Sequence, residues 1–399
     1  MRAGADGMNA GAAGDAVDQD RLTETATALM EVPSPTGQAG AAADRLAELL
    51  AADGFEVERM AAGHPDAAAV ITRLAGARPG PTLQFDGHLD TVHLPYRPPR
   101  LEGGVLAGSG AADMKAGIAA AVEALRAVRD AGGLPAGGLL LTAHDLHEAP
   151  WGYGEQLDAM IAAGVAGDAV MLPEYEGAEL PVAGRGNAVI VVTVRRDGEP
   201  MHEVLGGAEQ PDVIAAGAGL TLGLKELAAE LGAEGESVAG RASVFIGTVA
   251  GGQMFNQSPV ELTLEGTQRW LPGTRPETAE RRLRDCLARH TPPGIQADCR
   301  WQLVRGGFEL DCGHPVVDSF DRAVALELGA PLPRGAKRFA DDGNSFSDLA
   351  GIPAITHGPR ATGAHTVDER VAVDELTRVA RVYAATALRY CAGAGDLRR

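Results

Sequence analysis

The chain has 399 residues, 45% of them hydrophobic and 22% charged. This is ordinary globular usage with ample material for a core, and it excludes a disordered or collagen-like chain. Lys and Arg total 35 against 54 Asp and Glu, a formal charge of -19 with no basic patch, so no nucleic-acid partner is expected.

Residues 1–19 are rich in Gly and Ala with acidic residues, and are expected to form a disordered tail. They lack the basic start and apolar centre of a secretory signal. No apolar run approaches the roughly 18 residues of a membrane span, so no membrane partner is expected. From residue 20 to 53 the apolar spacing is helical, broken at Ser34-Pro35-Thr36-Gly37. FEVERM and AAVITRL read as strands, and PTLQFDGHLDTV as a buried strand running into a loop. MKAGIAAAVEALRAVRDAG is a helix, GGLLLTAHD a buried strand, GEQLDAMIAAG a helix and DAVMLPE a strand. Strands alternating with helices predict an α/β domain with a mostly parallel sheet.

After about residue 184 the pattern changes. NAVIVVTVRRDG alternates as a two-faced strand, PDVIAAGAGLTLGLKELAAEL is a helix, and two further strands, a helix and the strand IQADCRWQLV follow. The order β-α-β-β-α-β predicts a ferredoxin-like sandwich. Beyond Pro315 the helix and strand alternation resumes. The expected architecture is therefore discontinuous: residues 20–184 and 307–399 form one α/β domain and residues 185–306 are inserted into it. Cys286, Cys299, Cys312 and Cys391 show neither disulfide nor metal spacing, which predicts free thiols in a reducing cytoplasm.

Five short motifs carry candidate chemistry. His88 and Asp90 stand at i and i+2 at a strand end, where His88 can ligate a metal and Asp90 can fix its second nitrogen. Asp113 lies in a Gly-rich loop before a helix, which alone reads as an N-cap. His147-Glu148 follow LLLTAHD, Glu174 ends DAVMLPE, and His365 lies in GPRATGAHTVDER. Singly, each also reads as a capping or solvated residue. Together they bring His88, Asp113, Glu148, Glu174 and His365, two histidines and three carboxylates, to the ends of buried strands and one helix start, where α/β sheets bind ligands.

These motifs, with GGQMFNQSP, RWLPGT, DDGNSF and GIPAITHGP in the same order, resemble the M20 metallopeptidase and deacylase family over essentially the whole chain after the tail. That family includes acetylornithine deacetylase, succinyl-diaminopimelate desuccinylase and relatives of carboxypeptidase G2. The resemblance implies a hydrolase cleaving an amide bond of an N-acyl amino acid or small peptide with a free carboxylate. It implies two zinc ions, with manganese or cobalt as substitutes. His88 and Glu174 would hold one ion, Glu148 and His365 the other, with Asp113 bridging and Asp90 orienting His88. It further implies a homodimer formed through the inserted domain, which would act as a lid. His202, Asn256 and Arg269 match substrate-binding positions, though Glu203 stands where a small residue is usual.

One departure bears on mechanism. The family has a general-base glutamate directly before the metal-binding one, and here His147 occupies that place. Three readings follow: His147 is the base, which an imidazole pKa allows; Asp145 or Glu155 has taken over; or hydrolysis has given way to acyl transfer, amide formation, a lyase reaction or binding without catalysis.

Overall fold

A computed structural model describes residues 13–175, 177–337 and 339–393. The chain forms two compact units. The larger contains residues up to Val182, Leu310–Gly335 and residues from Asp341 onward; the smaller contains Ala183–Glu309 and Ala336–Ala340. Residues 1–12 of the expected tail lie outside the described residues. Residues 13–18 depart from that expectation: Ala13 and Val17 are buried, and the Asp18 carboxylate accepts from the Asp20 and Arg21 amides to cap the first helix. Apolar side chains and a capping residue together give even this short segment enough to pack.

In the larger unit α1 (Gln19–Met30) and α2 (Gly40–Ala52) precede β1 (Val57–Met60), β2 (Ala69–Ala75) and β3 (Thr82–His88). Then come α3 (Lys115–Asp130), β4 (Gly138–His144), α4 (Glu155–Ala162) and β5 (Ala169–Leu172). The helix α3 is buried nearly all round, which its run of alanines permits. Of its three buried charges, Glu123 lies 2.7 Å from Arg21, Arg126 lies 2.6 Å from Asp53, and Lys115 donates to the Val32 carbonyl.

The smaller unit has β6 (Gly186–Arg195), α5 (Val213–Glu234), β7 (Ser243–Gly251), β8 (Glu261–Trp270), α6 (Pro276–His290) and β9 (Gln296–Arg305). Its antiparallel sheet runs β7-β8-β6-β9. Every second residue of β6 is buried, and Ile190, Val192 and Val194 pack with Leu220, Leu224 and Leu227 of α5 and Leu283 and Leu287 of α6. This is the expected ferredoxin-like sandwich.

The chain then adds α7 (Pro315–Leu328), α8 (Asp342–Ala350), β10 (Ala354–Thr356) and α9 (Val373–Cys391) to the larger unit. Its main sheet runs β1-β2-β4-β3-β5-β10, with β4, β3, β5 and β10 parallel and β1 and β2 joined antiparallel. The central strands are buried along almost their whole length, as expected for a sheet covered on both faces. Among the described residues no helix is long and apolar enough to cross a membrane.

Candidate metal centre

Parallel strands end on one side of a sheet, and this sheet uses that edge for polar residues. His88 is the last residue of β3, His147 and Glu148 follow β4, Glu174 follows β5, and Asp113 precedes α3. Gly117 and Gly358 let the backbone of the Pro173–Glu174 turn come so close that any Cβ would collide with it. The bond from Asp113 to Met114 is cis. His365 sits at φ 60° and Leu146, next to His147, at φ 66°. Such left-handed backbone is uncommon outside glycine, and it turns the adjoining side chains toward the strand ends.

The structure brings His88, Asp113, Glu148, Glu174 and His365 together. His88 Nε2 is 3.1 Å from Asp113 Oδ1 and 3.8 Å from Glu174 Oε1. His365 Nε2 is 3.1 Å from Asp113 Oδ2 and 3.3 Å from Glu148 Oε2. Asp113 thus offers one oxygen to each histidine. All but His365 are buried. Burial, then the neighbouring Asp113, pushes the Glu174 carboxyl well above the usual carboxylate range. Hydrogen bonds that His365 donates to the Asp113 and Glu148 carboxylates lift its pKa to about 10. Three buried carboxylates thus lean on two imidazoles for positive charge. A pair of divalent cations among these nitrogen and oxygen donors supplies that charge, so the residues fit a metal centre.

Asp90 does more than the sequence indicated, and in a different way. The nearest acceptor to His88 Nδ1 is the Asp90 carbonyl at 2.9 Å, with the carboxylate Oδ1 at 3.6 Å. The carboxylate accepts the amides of His147 and Glu148, each at 3.1 Å to Oδ2. Asp90 therefore fixes the segment that carries both residues. Burial opposes its charge, but hydrogen bonding and the charge of His88 hold it down at about 2.

His147 lies flat against His88, with centroids 3.9 Å apart and planes within 6°. Its Nδ1 is 2.9 Å from Asp342 Oδ1, and its Nε2 is 4.0 Å from Glu174 Oε1. The two carboxylates that could replace it are committed elsewhere. Asp145 is buried, accepts the amides of Gly37, Ala39 and Leu146, and stands 3.2 Å from His64 Nε2. Glu155 is at the surface, where it accepts the Tyr153 amide. Trp151 is half exposed and stacks on His93, centroids 4.2 Å apart.

Three supporting residues escaped the sequence analysis. Glu369, inside the GAHTVDE motif, accepts the amides of Gly110, Ala112 and Asp113 and so shapes the Asp113 loop. Lys115 is buried, donates to the Val32 carbonyl at 2.6 Å, and is pushed down to about 7 by burial. Asp342 holds His147 from the first residue of α8.

The smaller unit holds the remaining candidates. Asn256 Nδ2 lies 2.8 Å from His202 Nε2, across the short pairing of Met201–His202 with Gln257–Ser258. Asn256 Oδ1 is buried and has no hydrogen-bond partner among the described residues. Arg269 is half-buried on β8; burial, then the charge of Arg185, lowers its pKa.

Residues 85–389 match the model of peptidase family M20/M25/M40. The chain is 28% identical over 380 residues to succinyl-diaminopimelate desuccinylase of Halorhodospira halophila, covering 90% of this chain and 96% of that one. Its fold resembles a tripeptidase from Staphylococcus aureus, with a TM-score of 0.79, 22% identity, and coverage of 94% and 99%. It also resembles a dinuclear metal-binding M20 peptidase from Bacillus subtilis, with a TM-score of 0.65, 18% identity, and coverage of 94% and 98%. With ligand-forming side chains gathered at the strand ends and most of its length matched, this chain belongs to the M20/M25/M40 peptidase family of metal-dependent hydrolases.

Proposed function

We infer that the protein is a dinuclear zinc amidohydrolase that cleaves an N-acyl amino acid or small peptide with a free carboxylate. Manganese or cobalt can take the place of zinc on these ligands. The observation that carries this reading is Asp113, whose two oxygens face two different histidines. His88 and Glu174 would hold one ion, Glu148 and His365 the other, and Asp113 both. When bound, the ions polarise a carbonyl and make water acidic enough to attack it near neutral pH.

The chain's own residues supply the rest. His147 is placed to accept the proton of the attacking water at Nε2 and return it to the leaving nitrogen. Against a role as a second histidine ligand to His88's ion stands the parallel stacking. A histidine ligand binds through a lone pair in its ring plane, and one ion cannot lie in two parallel planes. Asp90 keeps His147 and Glu148 in register with His88. In the smaller unit, His202 and Asn256 form one polar pair suited to a substrate carbonyl, and the half-buried Arg269 suits its carboxylate.

Two further points belong to this reading. The smaller unit joins two copies of the chain: its edge strand β7 exposes Phe245 and Val249, and Met254 and Phe255 follow it. The four free thiols suit a reducing cytoplasm. The test is turnover of a panel of N-acyl amino acids and dipeptides by protein loaded with zinc, manganese or cobalt. Metal-dependent release of a free amine is expected. A protein that binds none of these ions, or binds them and cleaves no member of the panel, would sink the proposal.

A further inference from the structure

Behind His147 a line of buried charged groups runs into the larger unit. His147 Nδ1 is 2.9 Å from Asp342 Oδ1; Asp342 Oδ2 is 3.3 Å from His144 Nε2; and that same nitrogen is 3.4 Å from Asp86 Oδ2. The Thr142 hydroxyl closes the line by donating to Asp86 Oδ1. Asp86, His144 and Asp342 are all buried. They come from adjacent strands and a helix start: Asp86 pairs with Thr142 and His88 with His144 across β3 and β4, and Asp342 opens α8.

Burying charge is costly unless it is paired, so this line calls for a reason. Burial drives the His144 imidazole toward neutrality, but Asp342 and Asp86 outweigh it and lift its pKa well above the ordinary value. A charged His144 neutralises one of its two carboxylates and leaves about one negative charge for His147 to face. The neighbouring Asp341 is a useful contrast. It is engaged as a helix cap, accepting from Gly343 and from the Thr356 hydroxyl. Asp342 directs its two oxygens at two imidazoles, one of which borders the metal centre.

We propose that Asp342 is a positioning residue for His147, held in place by His144 and Asp86. Its Oδ1 accepts the Nδ1–H, selects the tautomer whose Nε2 is unprotonated, and keeps that lone pair turned toward the metal ligands. The proposal rests on His147 being the proton acceptor only for its consequence in catalysis; the tautomer and orientation stand apart from it. A carboxylate behind a histidine commonly fixes both.

The test uses the zinc-loaded full chain with 15N-labelled histidine, His147 being assigned by its loss in His147→Ala. Two-bond nitrogen–proton correlations should show wild-type His147 protonated at Nδ1, and Asp342→Asn should shift it to a mixture of tautomers. A wild-type His147 protonated at Nε2 alone overturns the proposal, whether or not any variant folds. With a hydrolysed N-acyl amino acid, Asp342→Asn should lower kcat about 10- to 100-fold. KM and metal content should be unchanged, and no further loss should occur in a His147→Ala background. An equal loss in that background means a structural role and also overturns it. If His147→Ala turns over like wild type, the proton-acceptor reading fails while the tautomer still decides the role of Asp342.

Discussion

His147 and His88 lie parallel, their ring centroids 3.9 Å apart. The stack separates two tasks that their chain positions alone would not distinguish. His88 turns Nε2 to Asp113 at 3.1 Å, whereas His147 keeps Nε2 4.0 Å from the nearest carboxylate and anchors its other nitrogen on Asp342. Removing His147 should therefore leave the metals in place. His147→Ala is expected to retain two ions per chain by elemental analysis and to lose about 10²- to 10⁴-fold in kcat, the usual contribution of a positioned general base. Loss of an ion would make the ring a ligand instead. His147→Glu restores the carboxylate usual in the family; a rise in hydrolysis would show that the wild type is tuned for another reaction.

Asp113 and Glu174 should behave differently from His147. Asp113 faces both histidines, so Asp113→Ala is expected to abolish binding of both ions. Glu174→Gln touches only the His88 side and should abolish or weaken one. Equilibrium dialysis against zinc distinguishes the two stoichiometries. Because the ions offset buried negative charge, a chelator should lower the melting temperature of the wild type. Ligand linkage gives roughly 4 kcal/mol of stabilisation when free metal exceeds its Kd a thousandfold. An unchanged melting temperature after complete metal removal would count against the assignment.

The candidate ligands were readable because each stands in a short motif after a predicted strand or, for Asp113, before a helix, and both kinds of element can be located from hydrophobic runs. Asp342 was not, since its link to His147 spans 195 residues and no local pattern records it. A signal did exist. Asp86, Thr142 and His144 interrupt what should be uninterrupted apolar strands, and polar groups in a doubly covered sheet need partners. The role of Asp90 was half visible: its i+2 spacing put it beside His88, but its grip on the His147 and Glu148 amides depends on a loop conformation that spacing does not encode. In the smaller unit the alternation of β6 was enough to predict a two-faced strand, whose buried face packs on α5 and α6.

His357, just after β10, predicts a pH effect away from the metals. It is fully buried among Phe320 and Tyr383, and neither ring nitrogen has a hydrogen-bond partner among the described residues. Burial, then the charges of Arg378 and Arg360, lowers its pKa to about 3. The unfolded chain takes up this proton near pH 6.5 and the folded chain does not. Stability from this group is thus complete above pH 6.5 and declines as pH falls toward 3, by up to about 1.4 kcal/mol per pH unit. Urea unfolding between pH 7 and 4.5 should show His357→Leu losing less stability on acidification than wild type. Parallel curves would refute the assignment.

The edge strand β7 supplies the last prediction. Edge strands expose unpaired backbone groups and are commonly protected by charge or cover, yet β7 presents Phe245 and Val249 at 64% and 59% exposure. Met254 and Phe255, directly after it, are also exposed. Apolar side chains beside open backbone are suited to pairing with a second copy, which removes both from water. Val249→Lys should convert a dimer to a monomer by sedimentation velocity, because dimerisation would bury the ammonium. It should leave metal content and the melting temperature of the metal-loaded unit nearly unchanged, since Val249 packs little within one chain. If His202 serves the partner's centre, the monomer should bind two ions and still lose turnover. A variant that stays dimeric, or a wild type that is already monomeric, would remove β7 from the interface.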